Sequence, residues 1–371
     1  MNEISSEPIE FFPMQRKIAK HRSLIDRRIS AVLDSGSFIL GQNLKEFETS
    51  FAKYLSIKHC IGVGNDADAI EICLRALNLD QGSKVLTVAN ASSYSINAIA
   101  ASGMKRGFMD IHPKTLNCNF KDFVNAYDEN VKVVILTHLY GNPVEDTAKI
   151  VEYCKSKDVF VIEDCAQAHG AQLQGKMVGT YGDIAAFSFY PTKNLGGIGD
   201  AGLVATNEDM LALRSHKLRN YGWGDKYKVE IEGGRNTRLD EIQASILSGL
   251  LEHLDEENAI RKRIAVEIMT SVDNPLLTFL DYSNGSVFHL LVLLTDCRQA
   301  LIKFLSMYKI QSAIQYPMVD YSFLTQPETD RLESTIAQDE KLLSIPIHPF
   351  LTKSEVIKLV AVLNNFRANS L

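Results

Sequence analysis

The sequence predicts an α/β fold, a mostly parallel sheet held between helices and joined to a smaller C-terminal α+β unit. Three observations carry this expectation. Short apolar runs alternate with helical stretches from about residue 58 to residue 207, and such alternation builds a parallel sheet covered on both faces. The runs are rich in Val and Ile and end in polar residues or glycine, as strands buried on two sides do. The chain has 371 residues, more than one minimal domain needs.

The elements follow in order. His59 to Val63, Lys84 to Ala89, Val131 to Thr137 and Val159 to Glu163 read as strands. Asp66 to Leu77, Ser93 to Ser102 and Asp146 to Ser156 read as the intervening helices. Two further strands, Ile184 to Phe189 and Gly202 to Thr206, bracket a loop rich in glycine. From Asp240 to about Val266 the apolar residues Ile242, Ile246, Leu250 and Leu254 keep helical spacing. A strand at Val287 to Leu294, a helix near Arg298 to Tyr308 and a last helix from Ser354 complete the chain. The expected division is a large domain over 1–250, with an N-terminal arm, and a small domain over 251–371.

Composition narrows the function classes. Hydrophobic residues make up 46% and charged residues 23%, with a formal net charge of −6. That balance gives no electrostatic reason to bind nucleic acid or an anionic membrane. Cys60, Cys73, Cys118, Cys154, Cys165 and Cys297 stand singly, without C-x-x-C or zinc spacing, so free buried thiols in a reducing cytoplasm are expected and no metal is. Met1 to Phe12 has three acidic residues and no apolar core, unlike a signal peptide. No apolar run reaches membrane-spanning length. A soluble, cytoplasmic protein is the expectation.

The densest chemistry lies in VIEDCAQAHGAQLQGKMVGTYGDIAAFSFYPTKNLGGIGDAG, from Val161 to Gly202. One strand ends at Asp164; the next places Ser188 near its end and Lys193 on a loop beside Pro191, Gly196 and Gly197. A lysine that condenses with a carbonyl must be partly deprotonated. A pyridinium ring withdraws electrons only while a carboxylate keeps its nitrogen protonated. A phosphate needs hydroxyls and backbone N–H groups at a loop or helix start. Lys193, Asp164 and Ser188 answer those three demands. Singly, each has an ordinary structural reading, such as an Asp that caps a turn; their ordered combination gives them weight.

At these residues the sequence resembles the sugar aminotransferases of the DegT/DnrJ/EryC1/StrS group, fold type I of the pyridoxal-phosphate enzymes. The likeness runs from VLDSGSFILGQNLKEFETSFAKYL through IGVGNDADAIEICLRAL, THLYGNPVED, EDCAQAHGA and SFYPTKNLGGIGDAG to RNYGWGDKYKVEIEGGRNTRLDEIQASIL and SIPIHPFLTKSEV. The resemblance implies a mostly parallel sheet of the seven-stranded type and pyridoxal 5'-phosphate as cofactor. By that resemblance Lys193 holds the cofactor as a Schiff base and then shuttles a proton. Asp164 pairs with the pyridine nitrogen, Gln167 approaches the ring hydroxyl and Ser188 binds phosphate. Asn236 matches an asparagine that reaches the phosphate across a dimer interface, which implies a homodimer. His169 and His138 read as structural rather than catalytic.

The sequence departs from the group's pattern at three points. Asp66 and Ala67 stand where a Gly-Thr pair holds phosphate, so an anionic side chain meets an anion unless it turns away as a helix cap. Ser92 stands where an aromatic ring stacks on the cofactor, with Tyr94 two residues on. Gln315 precedes Tyr316-Pro317 where histidine is frequent. The resemblance implies amino transfer from L-glutamate to a nucleotide-linked keto sugar, closest to members acting at C-3 of dTDP-linked 3-keto-6-deoxy sugars. The alternative is a cofactor-poor relative that serves as a binding or regulatory protein. Lys193 argues against a dehydratase of the same fold, where histidine replaces it, and the absence of G-x-G-x-x-G argues against a nicotinamide oxidoreductase.

Overall fold

In the computed structural model, residues 7–317 and 329–368 are described. Two amphipathic helices, α1 Met14–Ser35 and α2 Gln42–Leu55, precede the first strand. The central sheet contains β1 His59–Val63, β2 Lys84–Val88, β3 Lys105–Met109, β4 Val131–Thr137 and β5 Phe160–Asp164. After a small hairpin, β6 Gln172–Leu173 and β7 Lys176–Met177, it is completed by β8 Ile184–Ser188 and β9 Gly202–Thr206. The order is β1-β9-β8-β5-β4-β2-β3. Only β9 runs against its neighbours, pairing antiparallel with β1 and β8; β8, β5, β4, β2 and β3 are parallel.

Side chains on alternate faces of the sheet enter two different cores. Phe187 and Leu203 join Phe47, Phe51 and Leu247 on one side. On the other, Ile184, Ala186 and Val204 pack with Ile61, Ile70 and Leu74. Helices α3 Asp66–Ala76, α4 Tyr94–Ala101, α5 Phe120–Ala126, α6 Thr147–Lys155 and α7 Asp209–Leu218 make the crossovers. A second, antiparallel sheet is formed by β10 Thr278–Phe279, β11 Leu291–Leu294 and β12 Leu342–Ile345. It packs with α10 Arg298–Met307 and the final helix Lys353–Asn365 over a core of its own.

Two expected elements are corrected. The helical stretch after Asp240 is two helices, α8 Glu241–Leu251 and α9 Leu254–Ser271, broken at Glu252 and His253. Asp255, Glu256 and Glu257 in the first turn of α9 favour a new N-terminus there. The strand expected from Val287 begins only at Leu291, because Phe288 takes a left-handed backbone conformation with φ 47°. All six cysteines are free, and five of them are buried. Among the described residues, no helix is long and apolar enough to cross a membrane.

Candidate active site

Parallel strands present their carboxyl ends on one edge of the sheet. The segments leaving β1, β2, β4, β5 and β8 there line a cleft of about 560 Å³. Asp164 is the last residue of β5 and pairs in register with Thr137 of β4 and Ala186 of β8. Strand pairing on both sides therefore fixes the position of its carboxyl group, which accepts the Ala166 amide at 3.1 Å. Burial raises the Asp164 pKa, against the pull of that amide and of Lys193.

Ser188 ends β8 opposite Gly202 of β9. A Cβ on Gly202 would lie 2.4 Å from the carbonyl oxygen of Asn65, so glycine is needed for β9 to pass beneath the start of α3. Asn65 caps α3, its side chain accepting the Asp68 amide at 2.9 Å. That leaves the Asp66 and Ala67 amides without intrahelical partners at the rim of the cleft.

Lys193 follows on a loop folded back on itself. Its amide donates to the Tyr190 carbonyl at 2.9 Å, and the Gly197 amide donates to Phe189 at 2.9 Å. Asn194 anchors the loop from below: its Nδ2 donates to Asn258 at 2.8 Å and to the Val287 carbonyl at 3.1 Å. Burial lowers the Lys193 pKa, opposed by the negative charges of Asp66 and Asp164. Burial thus favours the unprotonated amine, the form in which it is a nucleophile.

Asp66 does not turn away as the helix cap, because Asn65 holds that role. It faces the cleft, with Oδ1 buried and without a protein hydrogen-bond partner. Burial and the nearby Asp164 push its pKa up to about 8, while Lys193 pulls it down. Burial thus favours the neutral carboxyl, the form that can donate a hydrogen bond.

The remaining candidates sort clearly. Ala67 and Gln167 line the cleft. Gln167 accepts the Tyr140 amide at 2.6 Å through Oε1 and donates from Nε2 to the Tyr316 hydroxyl at 3.0 Å. One Nε2 hydrogen stays available for a ligand. Ser92 is not part of the lining; Tyr94 is, its ring edge-on to Tyr316 at 6.3 Å between centroids. Gln315 lines the cleft with Oε1 buried and unpartnered. Asn236 lies outside its own chain's cleft, exposed and bridged to Asn220.

His169 is buried against Phe187 and Phe189 and outside the lining; burial lowers its pKa to about 3. His138 accepts the Val144 amide at Nδ1 and meets Glu163 through Nε2 at 3.1 Å. Glu163 also accepts the amides of Gly179, Tyr181 and Gly182, so His138, which lines the cleft, is held in place by hydrogen bonds through both ring nitrogens. Tyr190, Thr192 and Tyr316 also line the cleft. The first two lie just before Lys193 in sequence and could have been read from it; Tyr316 is placed by a contact with Gln167, 149 residues away.

Pyridoxal phosphate matches this donor set. Lys193 would meet its aldehyde, Asp164 would meet its ring nitrogen, and the Ser188 hydroxyl with the first amides of α3 would hold its phosphate. The unpartnered Asp66 oxygen, when protonated, adds a donor to that end of the cleft.

Residues 20–364 match the model of the DegT/DnrJ/EryC1/StrS aminotransferase family. A dTDP-3-amino-3,6-dideoxy-alpha-D-galactopyranose transaminase of Aneurinibacillus thermoaerophilus is 36% identical over 363 residues, covering 96% of this chain and 99% of its own. A dTDP-3-amino-3,4,6-trideoxy-alpha-D-glucose transaminase of Micromonospora megalomicea subsp. nigra is 35% identical over 352 residues, covering 90% and 91%. The crystal structure of S. venezuelae DesV in complex with a ketimine intermediate superposes with a TM-score of 0.91 at 30% identity, covering 98% and 99%. This chain belongs to the DegT/DnrJ/EryC1/StrS aminotransferase family.

Proposed function

We propose that the protein uses pyridoxal phosphate in this cleft to transfer an amino group from L-glutamate to C-3 of a dTDP-linked 3-keto-6-deoxy sugar. The observation that carries the reading is the enclosure of Lys193 with Asp164 and Ser188 in one cleft at the carboxyl edge of the sheet. Two relatives named as dTDP-3-amino-sugar transaminases support the choice of sugar and of carbon.

When bound, the cofactor supplies an electron sink for the carbon that loses or gains a proton. The chain's own residues do the rest. Lys193 Nζ holds the aldehyde end and, once displaced, carries the proton between carbon atoms. Asp164, ionised against a ring N–H, keeps that nitrogen protonated. Ser188 and the amides of Asp66 and Ala67 hold the phosphate, and Gln167 orients the ring hydroxyl through its free Nε2 hydrogen. The partner subunit of a homodimer supplies Asn236 to the phosphate, which accounts for the exposure of that residue on its own chain. The setting is the cytoplasm.

The test is product analysis. Loaded protein, L-glutamate and a dTDP-3-keto-6-deoxyhexose should yield a sugar whose new C–N bond lies at C-3 by NMR, with 2-oxoglutarate released. Turnover only of a 4-keto sugar would reject C-3, and turnover only of a UDP-linked sugar would reject the nucleotide. The alternative of a cofactor-poor binding protein draws on Asp66, whose carboxyl stands where a phosphate must fit; measured cofactor affinity separates the two.

A further inference from the structure

Lys17 of α1 reaches from outside the cleft to the loop that carries Lys193. Its Nζ donates to the carbonyl of Pro191 at 2.9 Å and to that of Gly196 at 2.9 Å. The two carbonyls bracket Lys193 in the chain. The loop between them is tight: a Cβ on Gly196 would lie 2.6 Å from the carbonyl oxygens of both Tyr190 and Pro191. A turn that crowds carbonyl dipoles in this way is opposed by their mutual repulsion, and an ammonium donating to two of them offsets it.

The placement is expensive unless it serves the loop. Burial lowers the Lys17 pKa to about 8, with Glu257 pulling it up and Arg261 pushing it down. Glu257 is engaged elsewhere, by His21 at 2.8 Å and Lys20 at 3.2 Å. A desolvated cation whose hydrogen bonds go to backbone carbonyls is a poor source of net stability. Asn194 holds the loop from the α9 side, so Lys17 closes it from the α1 side.

We propose that Lys17 is a positioning residue, pinning the 191–196 loop so that the Lys193 amine meets the cofactor aldehyde in a reactive arrangement. This rests on the proposed use of pyridoxal phosphate. Condensation forms a carbon–nitrogen double bond, releases the aldehyde oxygen as water, consumes an unprotonated amine and transfers no electrons. Holding the amine near the carbonyl raises its effective concentration, so the clamp acts on the covalent part of cofactor binding. It leaves the contacts to ring and phosphate alone.

Pyridoxamine 5'-phosphate shares those ring and phosphate contacts but has no aldehyde, so comparing its Kd with that of pyridoxal 5'-phosphate isolates the covalent part. Both constants are measured at pH 7, below the Lys17 pKa of about 8, for the unmodified protein, Lys17→Met and Lys17→Arg. Lys17→Met should reduce the preference for the aldehyde form about tenfold with the pyridoxamine Kd unchanged. Lys17→Arg, whose guanidinium can donate to both carbonyls, should recover most of it. Should the methionine variant fail to fold, Lys17→Ala, which admits water to the site, gives the same comparison. An unchanged preference in the variant, or a parallel loss of affinity for both forms, overturns the proposal. If the unmodified protein shows no preference for the aldehyde and no visible band, the cofactor reading fails first, an outcome distinct from failure of the clamp.

Discussion

Asp66 lines the cleft at the start of α3, with its Oδ1 buried and unpartnered. The charged and titratable groups around it are Asp164 from β5, Lys193 from the loop, Tyr94 from α4, Cys73 from α3, Cys165 just after β5, and Tyr316. Its pKa is raised to about 8, so the neutral form prevails below that pH and the ionised form above it. An ionised Asp66 repels a bound phosphate, while a neutral one donates to it. Cofactor affinity should therefore fall as pH rises through about 8. Asp66→Asn, neutral at every pH, should flatten that dependence and bind the cofactor about tenfold more tightly at pH 9, as measured by fluorescence titration. A pH profile identical in the two proteins would contradict this role. At this scale much of the cleft lining was legible, because Asp164 and Ser188 end strands that pattern reveals and Lys193 lies on the loop that follows. The direction of Asp66 was not legible, because it depends on Asn65 taking the cap, a choice between adjacent residues that both suit it.

Helix α2 has no side-chain cap of its own. Glu241, the first residue of α8, accepts the amides of Gly41 at 2.8 Å, Asn43 at 2.8 Å and Leu44 at 3.0 Å, together with the Asn43 side chain at 2.9 Å. A carboxylate from one helix thus terminates another nearly 200 residues away. Glu241→Ala strands several amides at a buried helix start and should lower stability by about 3 kcal/mol, read as a fall in the urea midpoint. An unchanged midpoint would show that water replaces the carboxylate without loss. Among the elements, β1 and β4 match their sequence reading end for end, being apolar runs with clear polar borders. Strand β3 was missed because it opens Lys105-Arg106-Gly107, with Lys105 exposed on the sheet edge. Helices α1 and α2 carry readable periods at Ile18, Ile25, Val32 and at Leu44, Phe47, Phe51, Leu55, but the cleft-side role of Lys17 depends on partners 174 and 179 residues distant.

For the molecule as a whole, apolar side chains gather on the surface near the segment that carries Asn236. Phe38, Ile39, Tyr221, Tyr227 and Val229 are all exposed, and Ile39 bridges to Asp240 beside that segment. Exposed apolar groups in one region mark a surface that another chain covers. The protein should therefore sediment as two copies of the 41.4 kDa chain. Asn236→Ala should weaken cofactor binding about tenfold without dissociating the dimer. A monomer with undiminished cofactor affinity would remove the shared site. The change in sequence from strand–helix alternation to a mixed pattern accompanies the third core, built around β11, β12 and α10. The exposed apolar patch was not visible in sequence, since its residues are scattered from Phe38 to Val229.

The proposed role of Lys193 is to hold pyridoxal phosphate and work with L-glutamate. Its most direct measurement is the visible absorption spectrum of the protein with saturating cofactor, before and after L-glutamate, beside that of Lys193→Ala. The expected result is a yellow band of lysine-linked cofactor that bleaches with glutamate and is absent in the variant. No band in the unmodified protein, or an equal band in Lys193→Ala, would contradict the claim and favour a binding protein built on the same fold.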